Sequence, residues 1–200
     1  MLLLLSALAV FVLGCSGGDP AEARYQAALE LQEQEQWTEA LVELNEVITL
    51  DPAHTSAFYT RGVVKAATGD SEGAVDDLTQ AISLDPANAA ARALRGELYV
   101  DDGLFDRAAQ DLDEAVRLDP QKPEYYRERA RARGSQEKHQ LALEDFTSAL
   151  KLDPSDAGSY AGRAFAYLNL RQFNRAIEDL DQAIGLDAEA PRSYGIRAAA

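Results

Sequence analysis

The stretch "SEGAVDDLTQAISLDP", Ser71 to Pro86, decides how the rest of the chain reads. Ala74, Leu78 and Ile82 stand four residues apart, the spacing that puts side chains on one face of a helix. Pro86 has no N–H to continue that helix and so ends it. The closing tripeptide is not unique: Leu50-Asp51-Pro52, Leu84-Asp85-Pro86, Leu118-Asp119-Pro120 and Leu152-Asp153-Pro154 recur at one period of 34 residues, and Leu186-Asp187-Ala188 is a degenerate fifth copy. A fixed period of this length is the mark of a repeat array. The frame divides the chain into units 21–54, 55–88, 89–122, 123–156 and 157–190, with a partial sixth from Pro191 to Ala200.

Within this frame each unit reads as helix, turn, helix. Position eight is small: Ala28, Gly62, Gly96, Ala130, Ala164 and then Ala198. Position twenty is always alanine: Ala40, Ala74, Ala108, Ala142 and Ala176. Small residues there let the two helices approach, and a leucine would overpack by roughly 1–3 kcal/mol. Position twenty-four is large (Leu44, Leu78, Leu112, Phe146, Leu180), and position twenty-eight is again apolar (Ile48, Ile82, Val116, Leu150, Ile184), giving one buried face. Trp37, Phe105 and Phe173 open the second helix of the odd units and read as core plugs beneath the turn. Gly69 and Gly103 suit that turn. Unit four has Glu137 there and a glycine three residues earlier, Gly134, so its first helix is expected to end early.

The period, the small positions and the large ones resemble the tetratricopeptide repeat over residues 21–200. The resemblance implies an all-α fold: a right-handed superhelical solenoid of antiparallel helix pairs, with about five repeats plus a partial sixth. An array of this kind normally ends in a polar capping helix, whereas this sequence ends in three alanines.

One regularity goes beyond packing. An acid holds position twenty-three (Glu43, Asp77, Asp111, Asp145, Asp179) and an arginine holds position seven of units two to six (Arg61, Arg95, Arg129, Arg163, Arg197). Unit one has Ala27 at that place, and no unit precedes it. We read these as Arg–carboxylate bridges between successive units, each acid meeting the arginine 18 residues downstream, against the alternative of two separately solvated rows.

The resemblance also implies where a partner sits. The first helices line a concave groove, with positions two, five, nine, twelve and thirteen facing it. Tyr25, Tyr59, Glu97, Arg127, Arg131 and Phe165 are the candidate contacts. The groove is then apolar-aromatic at its N-terminal end, acidic in the middle, basic at unit four and apolar again at unit five. Arg127 and Arg131, one helical turn apart, read either as a clamp for a partner's carboxylate or as solvated arginines balancing nearby acids. Chaperone-binding members of the family carry Lys and Asn at groove positions five and nine. Tyr25 and Leu29, Tyr59 and Val63, Ala93 and Glu97 stand there instead, which excludes that ligand.

The N-terminus carries a separate message. Leu2 to Leu13 is apolar apart from Ser6, too short for a span of roughly 20 residues but of signal-peptide length. Val12-Leu13-Gly14-Cys15 then resembles a bacterial lipobox, with Cys15 the sole cysteine. The resemblance implies a signal peptide over 1–14, lipid on Cys15 and a tether to Pro20 reaching about 10–13 Å. More than one acyl chain makes such an anchor stable. Ser16 after the cysteine implies outer-membrane placement in a Gram-negative envelope.

Composition narrows the function. The net charge of -15 repels nucleic acid and anionic lipid. A lone cysteine and two distant histidines, His54 and His139, offer no disulfide and no zinc site, and both histidines read as solvated surface residues. Neither a phosphate loop nor a nucleophile motif occurs, and Asp101-Asp102-Gly103 lacks the later ligands of a calcium loop. The expectation is a membrane-anchored interaction scaffold of the cell envelope that binds a peptide or protein, with no cofactor, metal, nucleic acid or small-molecule substrate. The alternatives are a soluble secreted or cytoplasmic interaction protein, a non-catalytic accessory subunit of an envelope enzyme, or an enzyme with a non-obvious site.

Overall fold

The computed structural model describes residues 19–187. The signal, lipidation and most of the tether reading, and the partial sixth unit with Arg197 and Ala198, lie outside these residues. Among the described residues there are ten α-helices and no strand: α1 (Pro20–Glu33), α2 (Trp37–Leu50), α3 (Thr55–Ala67), α4 (Ser71–Leu84), α5 (Ala89–Asp101), α6 (Phe105–Leu118), α7 (Pro123–Ser135), α8 (His139–Leu152), α9 (Ala157–Asn169) and α10 (Phe173–Leu186). They pair as α1–α2 through α9–α10 and stack into a right-handed solenoid. No described helix is long and apolar enough to cross a membrane.

The Leu-Asp-Pro tripeptide is the hinge between units. Each second helix stops at its leucine, and the following aspartate is extended, as at Asp85 with φ -131° and ψ 93°. The residue before a proline is forced there by the ring. The carboxylate then accepts the N–H two residues on: Asp51 from Ala53 at 3.0 Å, Asp85 from Ala87 at 3.0 Å, Asp119 from Gln121 at 3.1 Å, Asp153 from Ser155 at 2.9 Å. This is an Asx turn. A side chain one residue ahead of α3, α5 and α9 caps the helix, His54 Nδ1 accepting from Ala57 N–H at 3.1 Å, Asn88 from Ala91 N–H at 2.9 Å and Asp156 from Gly158 N–H at 3.0 Å, whereas Lys122 ahead of α7 makes no such bond. His54 also lies 4.8 Å, ring to ring, from Tyr25. The histidine expected in solvent is a helix cap wedged between units, and the Nδ1 of His139 is likewise shielded from solvent.

The inner turns are alike in all five units. The N–H of Gly69 bonds to Ala66 O at 3.1 Å and that of Asp70 to Lys65 O at 2.9 Å, with the same pair of bonds repeated at Glu35, Gly103, Glu137 and Arg171. This is the Schellman motif, which needs a left-handed residue. Gly69 (φ 87°) and Gly103 (φ 75°) supply it, and so do Glu35 (57°), Glu137 (62°) and Arg171 (58°). The first helix of unit four therefore does not end early. It runs to Ser135, because Glu137 accepts the left-handed backbone that glycine takes elsewhere.

The core follows the repeat. Position eight, position twenty and the leucines at twenty-four are fully buried, each leucine contributing about 1.5–3 kcal/mol. A Cβ at Gly96 would lie 2.7 Å from Leu112 Cγ, so that close approach requires glycine. Position twenty-seven, unremarked in the sequence, is as deep: Val47, Ala81, Ala115, Ala149 and Ala183. Ile48, Val116 and Ile184 at twenty-eight are only half-buried. Phe173 is about half exposed and plugs nothing.

The charged ladder exists, but its pairing differs from the sequence expectation. Each arginine binds the acid of its own unit, 16 residues on, with two parallel bonds: Arg61 to Asp77 (2.8 and 2.6 Å), Arg95 to Asp111 (2.7 and 2.8 Å), Arg129 to Asp145 (3.0 and 2.7 Å), Arg163 to Asp179 (both 2.7 Å). Positions seven and twenty-three face each other because the paired helices are antiparallel. Only the third nitrogen reaches the preceding unit, Nη1 donating to Asn45 (2.7 Å), Thr79 (2.8 Å), Asp113 (2.9 Å) and Thr147 (3.5 Å). In unit one Arg24, a turn before Ala27, binds Glu43 at 2.7 Å. The acids of units two to five are buried, and their hydrogen bonds push the pKa of Arg95 and Arg163 up against the effect of burial.

Candidate binding groove

Consecutive first helices (α1, α3, α5, α7, α9) pack on one another as well as on their partners, whereas no comparable packing joins consecutive second helices among the described residues. The first helices therefore occupy the inside of the curve and form its concave face. Two openings lie on this face. One of about 400 Å³ brings together Tyr59, Glu97 and Arg127 from α3, α5 and α7. Another of about 810 Å³, between α5, α7, α8 and α9, includes Arg131 and Phe165. Tyr25 lies in neither. Its hydroxyl is 3.1 Å from Thr60 Oγ1, and its ring rests beside His54, so it joins α1 to α3.

Each groove residue is set by its unit. Tyr59 is half-buried, and burial followed by the neighbouring Tyr25 pushes its phenol pKa up. Phe165 is 52% exposed, a large apolar ring facing solvent at the mouth of the bigger opening. Glu97 makes no hydrogen bond or ion pair among the described residues. Burial, then Glu128 and Asp101, push its carboxyl pKa up against the opposing pull of Arg131 and Arg127.

The basic cluster of α7 is already occupied by the chain itself. Glu128, only 6% exposed, sits between the two groove arginines. Arg127 Nε donates to Glu128 Oε1 at 3.1 Å, and Arg131 Nη1 donates to Glu128 Oε2. Arg127 also reaches Asp156 (3.3 Å) and Arg131 reaches Asp101 (3.0 Å), on the units after and before. Burial lowers both guanidinium pKa values, but these acids outweigh it and the net direction is up. On the other side of α7, Arg129 and Arg133 share Asp145 and Asp113. Four arginines at alternate positions thus feed two internal networks. Glu128 was missed in the sequence because position six has no period: Gln26, Thr60, Leu94, Glu128 and Gly162.

Among the described residues no group of three His, Cys, Asp or Glu side chains is placed to hold a metal ion. What the face offers is apolar rings and alanines framed by charge, suited to holding an extended segment.

The tetratricopeptide repeat family model matches residues 59–123 and 127–191, and the chain belongs to that family. Repeats of this family are in general non-catalytic protein–protein interaction modules. Among curated proteins none matches the sequence. Among solved structures, MamA (residues 41 to the end) from Desulfovibrio magneticus RS-1 is 20% identical, with a TM-score of 0.79 over 88% of this chain and 99% of that one. YrrB, described as a TPR protein with an unusual peptide-binding site, is 20% identical, with a TM-score of 0.77 over 89% of this chain and 92% of its own. At these identities the likeness is one of fold.

Proposed function

We propose that the chain is a membrane-anchored lipoprotein of the cell envelope, a scaffold or adaptor whose concave groove binds a peptide or a segment of a partner protein without catalysis. The observation that carries the binding half is the pair of openings on the concave face, of about 400 and 810 Å³, which together hold five of the six candidate contacts. The peptide-binding site in the name of YrrB, a fold relative, supports the same reading. The anchoring half rests on Val12-Leu13-Gly14-Cys15 and the short Ser16–Asp19 tether, and in a Gram-negative cell the address is the outer membrane. Unit one then stands nearest the membrane and unit five projects from it.

Two experiments test the halves separately. A photo-crosslinking amino acid at Tyr59 or Phe165 is expected to capture one identifiable protein in intact cells. The same probe at Glu46 or Gln80, exposed on second helices, is expected to capture none. Equal capture from both faces removes the groove reading. Metabolic palmitate labelling is expected to mark the protein and to vanish in Cys15→Ser; an unlabelled parent removes the anchor.

A further inference from the structure

The larger opening lies where unit four departs from the odd units at two positions. Position twelve carries Gln32, Ala66, Val100 and Leu168 in the other units but Gly134 here, and position seventeen, aromatic in the odd units, carries His139. A Cβ on Gly134 would meet only Ala142 Cβ, at 3.9 Å, so the glycine is not demanded by packing. Its lack of a side chain leaves clear part of the space of about 810 Å³ between α5, α7, α8 and α9, within the range of roughly 300–1,000 Å³ of ligand pockets. Phe105, Phe146 and Phe165 line it with Ala130, Ala142 and Ala166. At its wall the Nδ1 of His139 is shielded from solvent and has no hydrogen-bond partner. It is an unmet acceptor, which a ligand donor satisfies once the imidazole turns toward the opening.

The rim has a sign. Glu137 stands exposed at the edge, and Arg131, the one cation among the described residues lining the opening, is shared by Glu128 and Asp101, which leaves acids in excess. The adjoining smaller opening adds Glu97, Glu124 and Glu128 against Lys122 and Arg127, so acids are in excess there too. Beside it, burial first and then Glu128 and Asp101 hold the Glu97 carboxyl up, against Arg131 and Arg127. An incoming cation relieves that surplus and an anion adds to it.

Building on the groove reading, we propose that this opening receives a tyrosine side chain from a partner segment flanked by lysine or arginine. The ring packs among the three phenylalanines, its hydroxyl donates to His139 Nδ1 as that imidazole turns toward the opening, and the flanking cations meet Asp101 and Glu137. Aromatic anchors in pockets of this kind carry most of an interface's affinity.

The test uses the full chain and fluorescein-labelled peptides read by anisotropy. The probe Gly-Lys-Arg-Tyr-Arg-Lys-Gly is expected to bind at least tenfold tighter than its Tyr→Ala form and than Gly-Asp-Glu-Tyr-Glu-Asp-Gly, and to weaken as salt rises. Gly134→Leu, which restores the bulk present in unit five, is expected to lose that peptide tenfold or more while melting no lower than the parent, since leucine suits a helix better than glycine. His139→Phe is expected to abolish the preference for the Tyr peptide over its Phe form. Parental affinity in Gly134→Leu, or equal binding of the Tyr and Ala peptides, overturns the pocket while leaving groove binding intact. A failure of every peptide to bind also overturns it, and the groove itself is then judged by the crosslinks at Tyr59 and Phe165.

Discussion

Asp111 shows what a single residue does here. It is buried, and Arg95 satisfies both its oxygens. Removing one partner of such a pair strands a charge and costs about 3–5 kcal/mol, whereas replacing both by apolar residues is far milder. Arg95→Ala is expected to destabilise by that amount in urea denaturation, and Arg95→Met with Asp111→Leu to recover most of it. A cycle between Asp111 and Arg129 should show less than half the coupling of the Arg95 cycle. The sequence could not choose between those partners. With a period of 34, an acid at position twenty-three lies 16 residues after one arginine and 18 before the next, and both choices repeat equally well. Only the antiparallel packing of a pair decides. Glu97 gives a pH test. Its ordinary pKa of 4.5 is raised on folding, so its contribution is fully present below about pH 4.5 and is lost as pH rises through the folded value. Glu97→Gln is therefore expected to be more stable than the parent at pH 7 and equal to it at pH 4, measured by chemical denaturation at each pH.

At the scale of the element, the inner turn is the most uniform object in the molecule and the least uniform in sequence. Five Schellman turns share one backbone, yet only Gly69 and Gly103 are glycine. A non-glycine residue in that conformation costs roughly 1–2 kcal/mol. Glu35→Gly, Glu137→Gly and Arg171→Gly are each expected to raise stability by about 1 kcal/mol, while Gly103→Ala lowers it by a similar amount although nothing lies within 4 Å of its Cβ. Equilibrium unfolding of the four variants checks both signs. Helix positions were legible because burial repeats with the unit, whereas turn conformation depends on hydrogen bonds that any residue can make at a cost. Phe146 is another local departure. A Cβ on Gly162 would fall 2.3 Å from its ring, so the glycine of unit five accommodates the phenylalanine of unit four. Gly162→Ala is expected to cost about 1–3 kcal/mol, and Phe146→Leu alongside it to restore part of that, in the same unfolding assay.

For the whole molecule, each unit packs mainly on its neighbours, so stability is a sum of unit and interface energies. A lesion in the middle separates two halves, and one near the end only frays it. Arg95→Ala is expected to show two unfolding transitions by hydrogen exchange, with residues 19–84 and 123–187 exchanging separately. Arg163→Ala should leave the first three units as protected as in the parent. Overall architecture was the most legible level, since the period alone implies stacked helix pairs. The groove was legible in outline through its first-helix positions. Its larger opening was not, because Gly134 read as a stop signal and its effect depends on the space that α8 and α9 leave around it.

The third nitrogen of each ladder arginine has a direction. Arg61, Arg95, Arg129 and Arg163 all reach back to the unit before them, and each finds its own acid further along in its own unit. A chain emerging N-terminus first, from a ribosome or an export channel, therefore has its docking surface present when the next unit emerges. No unit must wait for sequence beyond its own second helix to satisfy its arginine. The bonding pattern thus permits assembly from the N-terminal end, like a zip, with each arginine closing onto a surface that is already present.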